Sequence, residues 1–266
     1  MGARRAQALA CCLLGETLLL RGRWDEAAGY LRRSIELHQA LGAKSGEALT
    51  WQRLGELAIY RGDATAADKC VQRGLALAAE APMAAHLMGR LYATAALDAL
   101  EQGNLAAAAR AIGAASAAAE RYGDCPTCGA LLHPVAAEVY ARLGDKDRAE
   151  KWAQAAERVA GHWESGAWQA MAEVAHAVVA PSEQAVARFV RAAQLFERLG
   201  QPFQAARCLA QAGLIHVERG EREEARGRLE RALAIFHEIG APRAAKRVYQ
   251  ALARLRAGTS SAHEVT

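Results

Sequence analysis

The chain has 266 residues, and its 33 Lys and Arg nearly balance its 29 Asp and Glu, which gives a net charge of +4. This length exceeds what one compact hydrophobic core usually serves, so we expect either two domains or an elongated array. A charge balance this even argues against a polyanion-binding protein, and no apolar run approaches the roughly 18 residues of a membrane-spanning helix. Alanine makes up about a quarter of the chain. Together with abundant Leu, Glu and Arg, it predicts an all-α protein.

A helix–turn–helix unit recurs along the chain at intervals of roughly 40 residues. Its turns are marked by glycines, and one degenerate turn falls near Ala180-Pro181; the glycine markers are Gly22, Gly62, Gly103, Gly144 and Gly220. A glycine suits such a turn because it closes the first helix in a left-handed conformation without steric cost.

The positions of these markers predict where each helix begins and ends along the chain. We expect helix hairpins over residues 3–41, 45–80, 82–121, 130–160, 165–198 and 202–239, followed by a capping helix over 242–256. The hairpins and the cap would form one solenoid over residues 1–257, and residues 258–266 are predicted to be a flexible tail. A hairpin cannot bury its apolar face alone, so stacked neighbours form the core and the last helix ends the stack.

Two positions of each unit predict how its helices pack. An alanine stands five residues after each marker, and an apolar residue stands nine residues after it, about one helical turn further along the same face. The alanines are Ala27, Ala67, Ala108, Ala149, Ala185 and Ala225, and the second set is Leu31, Val71, Ile112, Ala153, Phe189 and Leu229. We interpret these positions as the buried seam of each hairpin.

The segment from Trp51 to Gly55, followed by Gly62 and Ala67, resembles the tetratricopeptide repeat signature of Trp, Leu-Gly, turn glycine and packing alanine. The resemblance implies a right-handed α-solenoid of about six hairpins with a concave surface for binding. The usual tetratricopeptide period is about 34 residues, so the units of this chain are of a long-period type. Helical repeats of the HEAT type have similar periods but usually lack this glycine and alanine phasing, and they are the lesser alternative.

The long-period array is also similar to the carboxy-terminal helical sensor regions of bacterial signal-transduction ATPases and transcriptional activators of the maltose-regulator and antibiotic-regulator type. The stretches that carry this similarity are 123–145, 195–200 and 234–243. It implies a sensor or partner-docking role in a bacterial signalling system, and the chain is either a free-standing relative or a piece of a longer regulator.

A tetratricopeptide superhelix has its first helices on the concave side. The resemblance therefore implies a partner-binding surface on Gln52, Glu56, Tyr60, Arg90, Glu101, Arg142, Arg207 and Glu218. Its mixed charge favours a protein or peptide partner, or a small effector. Glu16, Glu56 and Glu138 recur at one position of the repeat, either as acceptors in the groove or as partners of nearby arginines. The basic residues of the last helix, from Arg243 to Arg256, suit a solvated cap better than direct nucleic-acid binding.

The segment from Cys125 to Gly129 is the one motif with chemical content. Two thiolates separated by two residues can bind zinc, and His133 is the nearest further candidate ligand in the sequence. Three interpretations stay open for Cys125 and Cys128: packing of a linker between hairpins, a zinc site, and a redox pair.

We find no nucleotide-binding loop, nucleophile elbow or zinc-protease motif, so the sequence predicts a non-catalytic scaffold without a cofactor. The alternatives are a metal- or thiol-responsive switch at the cysteine pair and a module that assembles homo-oligomers. Cys11, Cys12, Cys70 and Cys208 fall within apolar helical patterns, which favours buried thiols and a cytoplasmic location.

Overall fold

The computed structural model describes the backbone of residues 2–263 and the side chains of residues 2–256. Residues 2–263 contain helices and no strand, which confirms the all-α solenoid. The helices are α1 (Gly2–Leu20), α2 (Trp24–Ala40), α3 (Lys44–Arg61), α4 (Ala64–Ala79), α5 (Ala84–Glu101), α6 (Leu105–Tyr122), α7 (Pro126–Gly129), α8 (Leu132–Arg142), α9 (Lys146–Trp163), α10 (Gly166–Ala177), α11 (Ser182–Arg198), α12 (Pro202–Glu218), α13 (Arg222–Glu238) and α14 (Pro242–His263).

Consecutive helices within residues 2–263 form six hairpins, and in three of them the turn combines a glycine that closes the first helix with a side chain that caps the second. In the turn between α3 and α4, Gly62 has φ +79° and its N–H donates a hydrogen bond of 2.9 Å to the Ile59 carbonyl, which closes α3. The side chain of the next residue, Asp63, accepts a hydrogen bond of 2.9 Å from the Ala66 N–H and so caps α4. Asn104 and Asp145 cap α6 and α9 in the same way. Glycine followed by Asp or Asn thus ends one helix and begins the next.

The seam inside each hairpin is as the repeat predicts. All six alanines of the first set and all six residues of the second set are buried. The first helix approaches closely because it also carries small residues. A β-carbon on Gly15 would lie 2.6 Å from Cγ of Leu31, and one on Gly213 would lie 2.8 Å from Cγ of Leu229. The second-helix leucine therefore fills the space that the first-helix glycine leaves open.

The superhelix brings its first two hairpins back into contact with its last hairpin and α14. Trp24 and Tyr60 pack on Phe203, with ring centroids 5.8 Å and 4.1 Å away. A β-carbon on Gly22 would lie 2.9 Å from Cγ2 of Ile239. One hydrophobic cluster contains residues from both ends of the array. The curvature therefore closes the solenoid around a narrow interior rather than leaving a wide open groove.

Two segments differ from the sequence-based expectation. The linker between the third and fourth hairpins contains the short helix α7, which begins at Pro126. Helix α14 continues to His263, so it extends through most of the segment predicted as a tail. Met1 and residues 264–266 lie outside the described residues. Within the described part of the chain, no helix combines the length and the apolar character needed to cross a membrane.

Candidate binding site on the inner surface

The first helices of the hairpins face the interior, where they enclose two cavities. The first, called the tyrosine cavity here, has a volume of about 90 Å³. Apolar side chains from several helices form most of its wall, and a few polar groups converge on it. Its lining is Glu56, Tyr60, Ala93, Thr94, Leu97, Leu131, Pro134, Val135, Glu138, Met171, Val174, Phe196, Gln204 and Arg207.

The second, called the arginine cavity here, has a volume of about 200 Å³. Glu138 and Arg207 line both cavities, so the ion pair between them stands at the boundary. The lining of the arginine cavity is Leu100, Glu101, Glu138, Arg142, Arg207, Ala210, Gln211, Leu214, Phe236, Ala244, Arg247 and Val248. Both cavities are smaller than the roughly 300 Å³ or more of a typical small-molecule pocket. In this conformation they accommodate side chains or small groups.

Three arginines surround two carboxylates at the arginine cavity. Arg207 lies 3.2 Å from Glu101 and 3.8 Å from Glu138, and Arg142 lies 2.6 Å from Glu138. Arg247 also pairs with Glu101, across the interior from α14 to α5. The cluster therefore carries one positive charge more than its carboxylates neutralise. Arg142 and Arg247 have 45% and 49% of their side chains exposed, so both are accessible at this wall, whereas Arg207 is mostly buried.

Two of these arginines determine the charge state of Glu101. Burial alone would raise its pKa, but the attraction of Arg207 and Arg247 outweighs that effect and holds the pKa of Glu101 below its usual value. The carboxylate therefore stays ionised at neutral pH. A fixed charge of this kind orients the arginines around the cavity.

A separate ion-pair cluster borders the tyrosine cavity. Arg53, only 6% exposed, lies between Glu16 and Glu56 and is 2.7 Å from the latter. Glu56 is also part of the cavity wall, whereas Arg53 is not. This wall consequently has an excess of negative charge, opposite in sign to the arginine cavity.

Tyr60 gives the tyrosine cavity a neutral polar group. Burial raises the pKa of its hydroxyl, with a further contribution from the nearby charge of Glu56. The hydroxyl accepts a hydrogen bond of 3.0 Å from Nε2 of Gln204. It therefore acts as a donor and acceptor of hydrogen bonds and stays protonated at physiological pH.

The structure places the eight residues of the expected binding surface in four different settings. Five line the cavities: Glu56, Tyr60, Glu101, Arg142 and Arg207. Gln52 is 1% exposed and donates a hydrogen bond of 2.8 Å to the hydroxyl of Thr94, so it is not accessible to a partner in this conformation. Arg90 lies at the cysteine motif, and Glu218 is exposed outside both cavities.

Sequence reasoning omitted Gln204, Arg247 and Phe196 from this surface. Gln204 and Arg247 are near the starts of α12 and α14, and both reach residues of distant hairpins. The periodic pattern contains no signal for such contacts, since it compares each unit with its neighbours. Glu138 did carry a signal, because it recurs in phase with Glu16 and Glu56. In the structure all three pair with arginines, and Glu56 and Glu138 also line a cavity.

The cysteine motif lies outside the cavities, against α5. Ligand atoms of Cys125, Cys128 and His86 all lie within 4.8 Å of one another. His133, the candidate that sequence proximity suggests, is not part of this group, and its ring packs against Trp152 at 5.5 Å. The third side chain at the two thiols is therefore His86 rather than His133. Burial raises the pKa of the Cys128 thiol, although a hydrogen bond with Arg90 opposes the shift.

The stacked hairpins, the turn glycines and the first-helix interior define a helical-repeat protein of the tetratricopeptide type. Two solved structures share this fold. A Rap protein complexed with Competence and Sporulation Factor is 15% identical, with a TM-score of 0.67 over 97% of this chain and 74% of that one. A Signal Transduction ATPase with Numerous Domains from Pyrococcus horikoshii, which has a tetratricopeptide repeat sensor, is 14% identical with a TM-score of 0.60.

The second match covers 90% of this chain but only 37% of the ATPase, so the likeness concerns one part of that protein. At these identities the similarity extends to the fold alone. No protein-family model matches the sequence. No curated protein matches it either.

Proposed function

We propose that the protein is a non-catalytic docking scaffold that binds a protein or peptide partner on its inner surface, as the sensor region of a bacterial signalling or transcription-control system does. The observation that carries the proposal is the arginine cavity. It combines apolar walls with three arginines for two carboxylates, inside a repeat fold of the kind that generally serves as a binding scaffold.

The size of the cavities favours a side chain or chain terminus of a larger partner over a whole small molecule. A volume of about 200 Å³ accommodates one acidic side chain or a terminal carboxylate. Arg142 would pair with that group, because it is partly exposed and its carboxylate partner Glu138 is shared with Arg207. A guanidinium binds a carboxylate through two parallel hydrogen bonds, which gives both affinity and direction.

The two structural neighbours support the same role. The Rap protein was solved in complex with a factor, and the ATPase is described as carrying its repeat array as a sensor. We infer that occupancy of the interior would alter how the first two hairpins close on the last, and that this change would be the signal passed to a partner domain.

The test is a selection of random displayed peptides on the immobilised protein, followed by measurement of their affinities. We expect enrichment of Asp, Glu or a free carboxyl terminus, and a loss of at least about tenfold in affinity for Arg142→Glu. Arg33→Glu is the matched control, because Arg33 also pairs with a glutamate of its own helix, at 2.8 Å, and is 54% exposed. Equal affinities of the wild type and Arg142→Glu would show that the arginine cavity is not the binding site.

A further inference from the structure

The short helix α7, in the linker after the third hairpin, places two thiols against an imidazole of α5 in that hairpin. Cys125 directly precedes α7, Cys128 lies within it, and His86 is in the first turn of α5. Sγ of Cys128 is 3.6 Å from Nδ1 of His86, and all three ligand atoms lie within 4.8 Å of one another. The three groups come from two separate segments, so the contact is formed by the tertiary fold.

These distances match a tetrahedral zinc centre. Zinc–sulfur and zinc–nitrogen bonds of about 2.3 and 2.0 Å at a tetrahedral angle hold the two ligand atoms roughly 3.5 Å apart. The separation of 3.6 Å between Cys128 and His86 already suits one ion. The two pairs that involve Cys125 lie within 4.8 Å and would contract by about 1 Å or less. Zinc favours thiolate and imidazole ligands, whereas hard cations such as Mg²⁺ and Ca²⁺ select oxygen ligands.

The local sequence maintains this geometry. Helix α7 begins at Pro126 and has a single turn. Cys125 and Cys128 are three residues apart, so this turn brings their side chains to the same face. On α5, Gly89 follows His86 by three residues and lies on the same face. A β-carbon on Gly89 would lie 3.5 Å from N and Cα of Gly129, so the backbones of α5 and α7 meet there with no side chain between them. A β-carbon at Gly89 would just fit in van der Waals contact, so only a side chain longer than that of alanine would push the thiols away from His86.

We propose that Cys125, Cys128 and His86 bind one zinc ion, with the fourth position left to water or to a group from a partner. Two thiolates neutralise the charge of the ion, so the neighbouring Arg90 does not oppose binding. Arg90 instead lies beside Cys128, where outer-shell partners of metal ligands are found. The ion would fix the linker between the third and fourth hairpins onto α5.

The experiment uses the full chain, reduced under anaerobic conditions and purified without chelator. We expect close to one zinc per chain by elemental analysis. After replacement by cobalt, we expect thiolate-to-cobalt charge-transfer bands and the intense visible absorption of a tetrahedral centre. His86→Ala and Cys128→Ser should each weaken zinc binding by more than the roughly 10–100-fold that the loss of an outer-shell partner costs.

His133→Ala and Cys70→Ser are the matched controls, since each removes a side chain of the same type that lies outside the cluster. Both should keep wild-type zinc content and the cobalt spectrum, while circular dichroism checks that every variant is folded. Reduced wild-type protein that retains no zinc and gives no charge-transfer band would overturn the site. A loss in His133→Ala that equals the loss in His86→Ala would overturn the ligand assignment.

Discussion

The rings of Tyr60 and Phe203 lie in contact, with centroids 4.1 Å apart, and so join the end of α3 to the start of α12. Phe203 also packs edge-on against Trp24 and Phe236, so one side chain connects the first, second and sixth hairpins. This contact is one of those that close the solenoid. It also means that the interior opens only if aromatic surface is exposed to water.

Substitution of Phe203 should therefore change both stability and shape. We expect Phe203→Ala to lower the free energy of unfolding by about 3–4 kcal/mol, because a large buried ring is replaced by a cavity. We also expect a larger radius of gyration in small-angle X-ray scattering, since the first and last hairpins lose their shared contact.

Phe189→Ala is the control for this shape change, because Phe189 is buried to the same degree but lies in the seam of the fifth hairpin. It should cost similar stability in urea denaturation without expanding the molecule. Equal radii for the two variants would show that closure does not depend on Phe203.

The buried arginine of α3 should be far more important for stability than an exposed one. Arg53→Met leaves Glu16 and Glu56 close together without their shared cation, and we expect a loss of about 3 kcal/mol. Arg33→Met breaks a pair whose side chains are both more than half exposed and should change stability by less than about 0.5 kcal/mol. Chemical denaturation of both variants measures the difference, and similar values would show that Arg53 contributes only as a surface charge.

Two glycines of the last hairpin should respond to alanine in opposite directions. Gly220 has φ +75°, so Gly220→Ala forces a β-carbon into the left-handed region and should destabilise by about 1–2 kcal/mol. Gly227 lies within α13, where an added β-carbon would meet no atom within 4 Å. Gly227→Ala should therefore stabilise by about 0.5–1 kcal/mol, because alanine loses less backbone entropy in a helix. Thermal melts of the pair give the two signs, and a shift in the same direction for both would contradict the turn assignment.

Stability should fall as the pH is lowered from about 6.5 to 4, in part because of His133. Burial is the main cause that lowers the pKa of His133 to about 4, and the charge of Arg158 adds to it. In this window the unfolded chain binds a proton at this histidine and the folded chain does not, so acid favours unfolding. The loss attributable to His133 is on the order of 2 kcal/mol.

Burial also lowers the pKa of His38, so His133→Gln should remove only part of this pH dependence. The wild type is the reference with which the pH dependence of His133→Gln is compared. Urea unfolding at several pH values gives the free energy of unfolding against pH for each protein, and the slopes of these curves are compared. An unchanged slope for His133→Gln would show that His133 titrates alike in the folded and unfolded chains.

Contacts within each unit were predictable from the sequence. Every hairpin packs two antiparallel helices in the same way, so the same kinds of residue return at the same positions. These are the turn glycines, the six alanines and the six residues of the second set. Pairing of Glu16, Glu56 and Glu138 with arginines was one of the two interpretations that the pattern left open.

Contacts between distant units could not be predicted in this way. The packing of Tyr60 on Phe203 and the ion pair between Arg247 and Glu101 depend on curvature, which accumulates from a small rotation at each interface between hairpins. The repeat pattern contains no information on this accumulated rotation, because it compares each unit only with its neighbours. His86 could not be predicted either, because the linker after α6 folds α7 back onto α5 and no position of the repeat encodes that path.

The amino-acid sequence by itself thus determined the repeat, the helix class and the seam of each hairpin, because small and apolar residues must return every unit for paired helices to nest. Only the tertiary structure decided that the solenoid closes on itself, which charges surround its interior, and which histidine lies beside Cys125 and Cys128. These features join residues that share no periodic relationship, so they depend on how the helices and linkers pack in three dimensions.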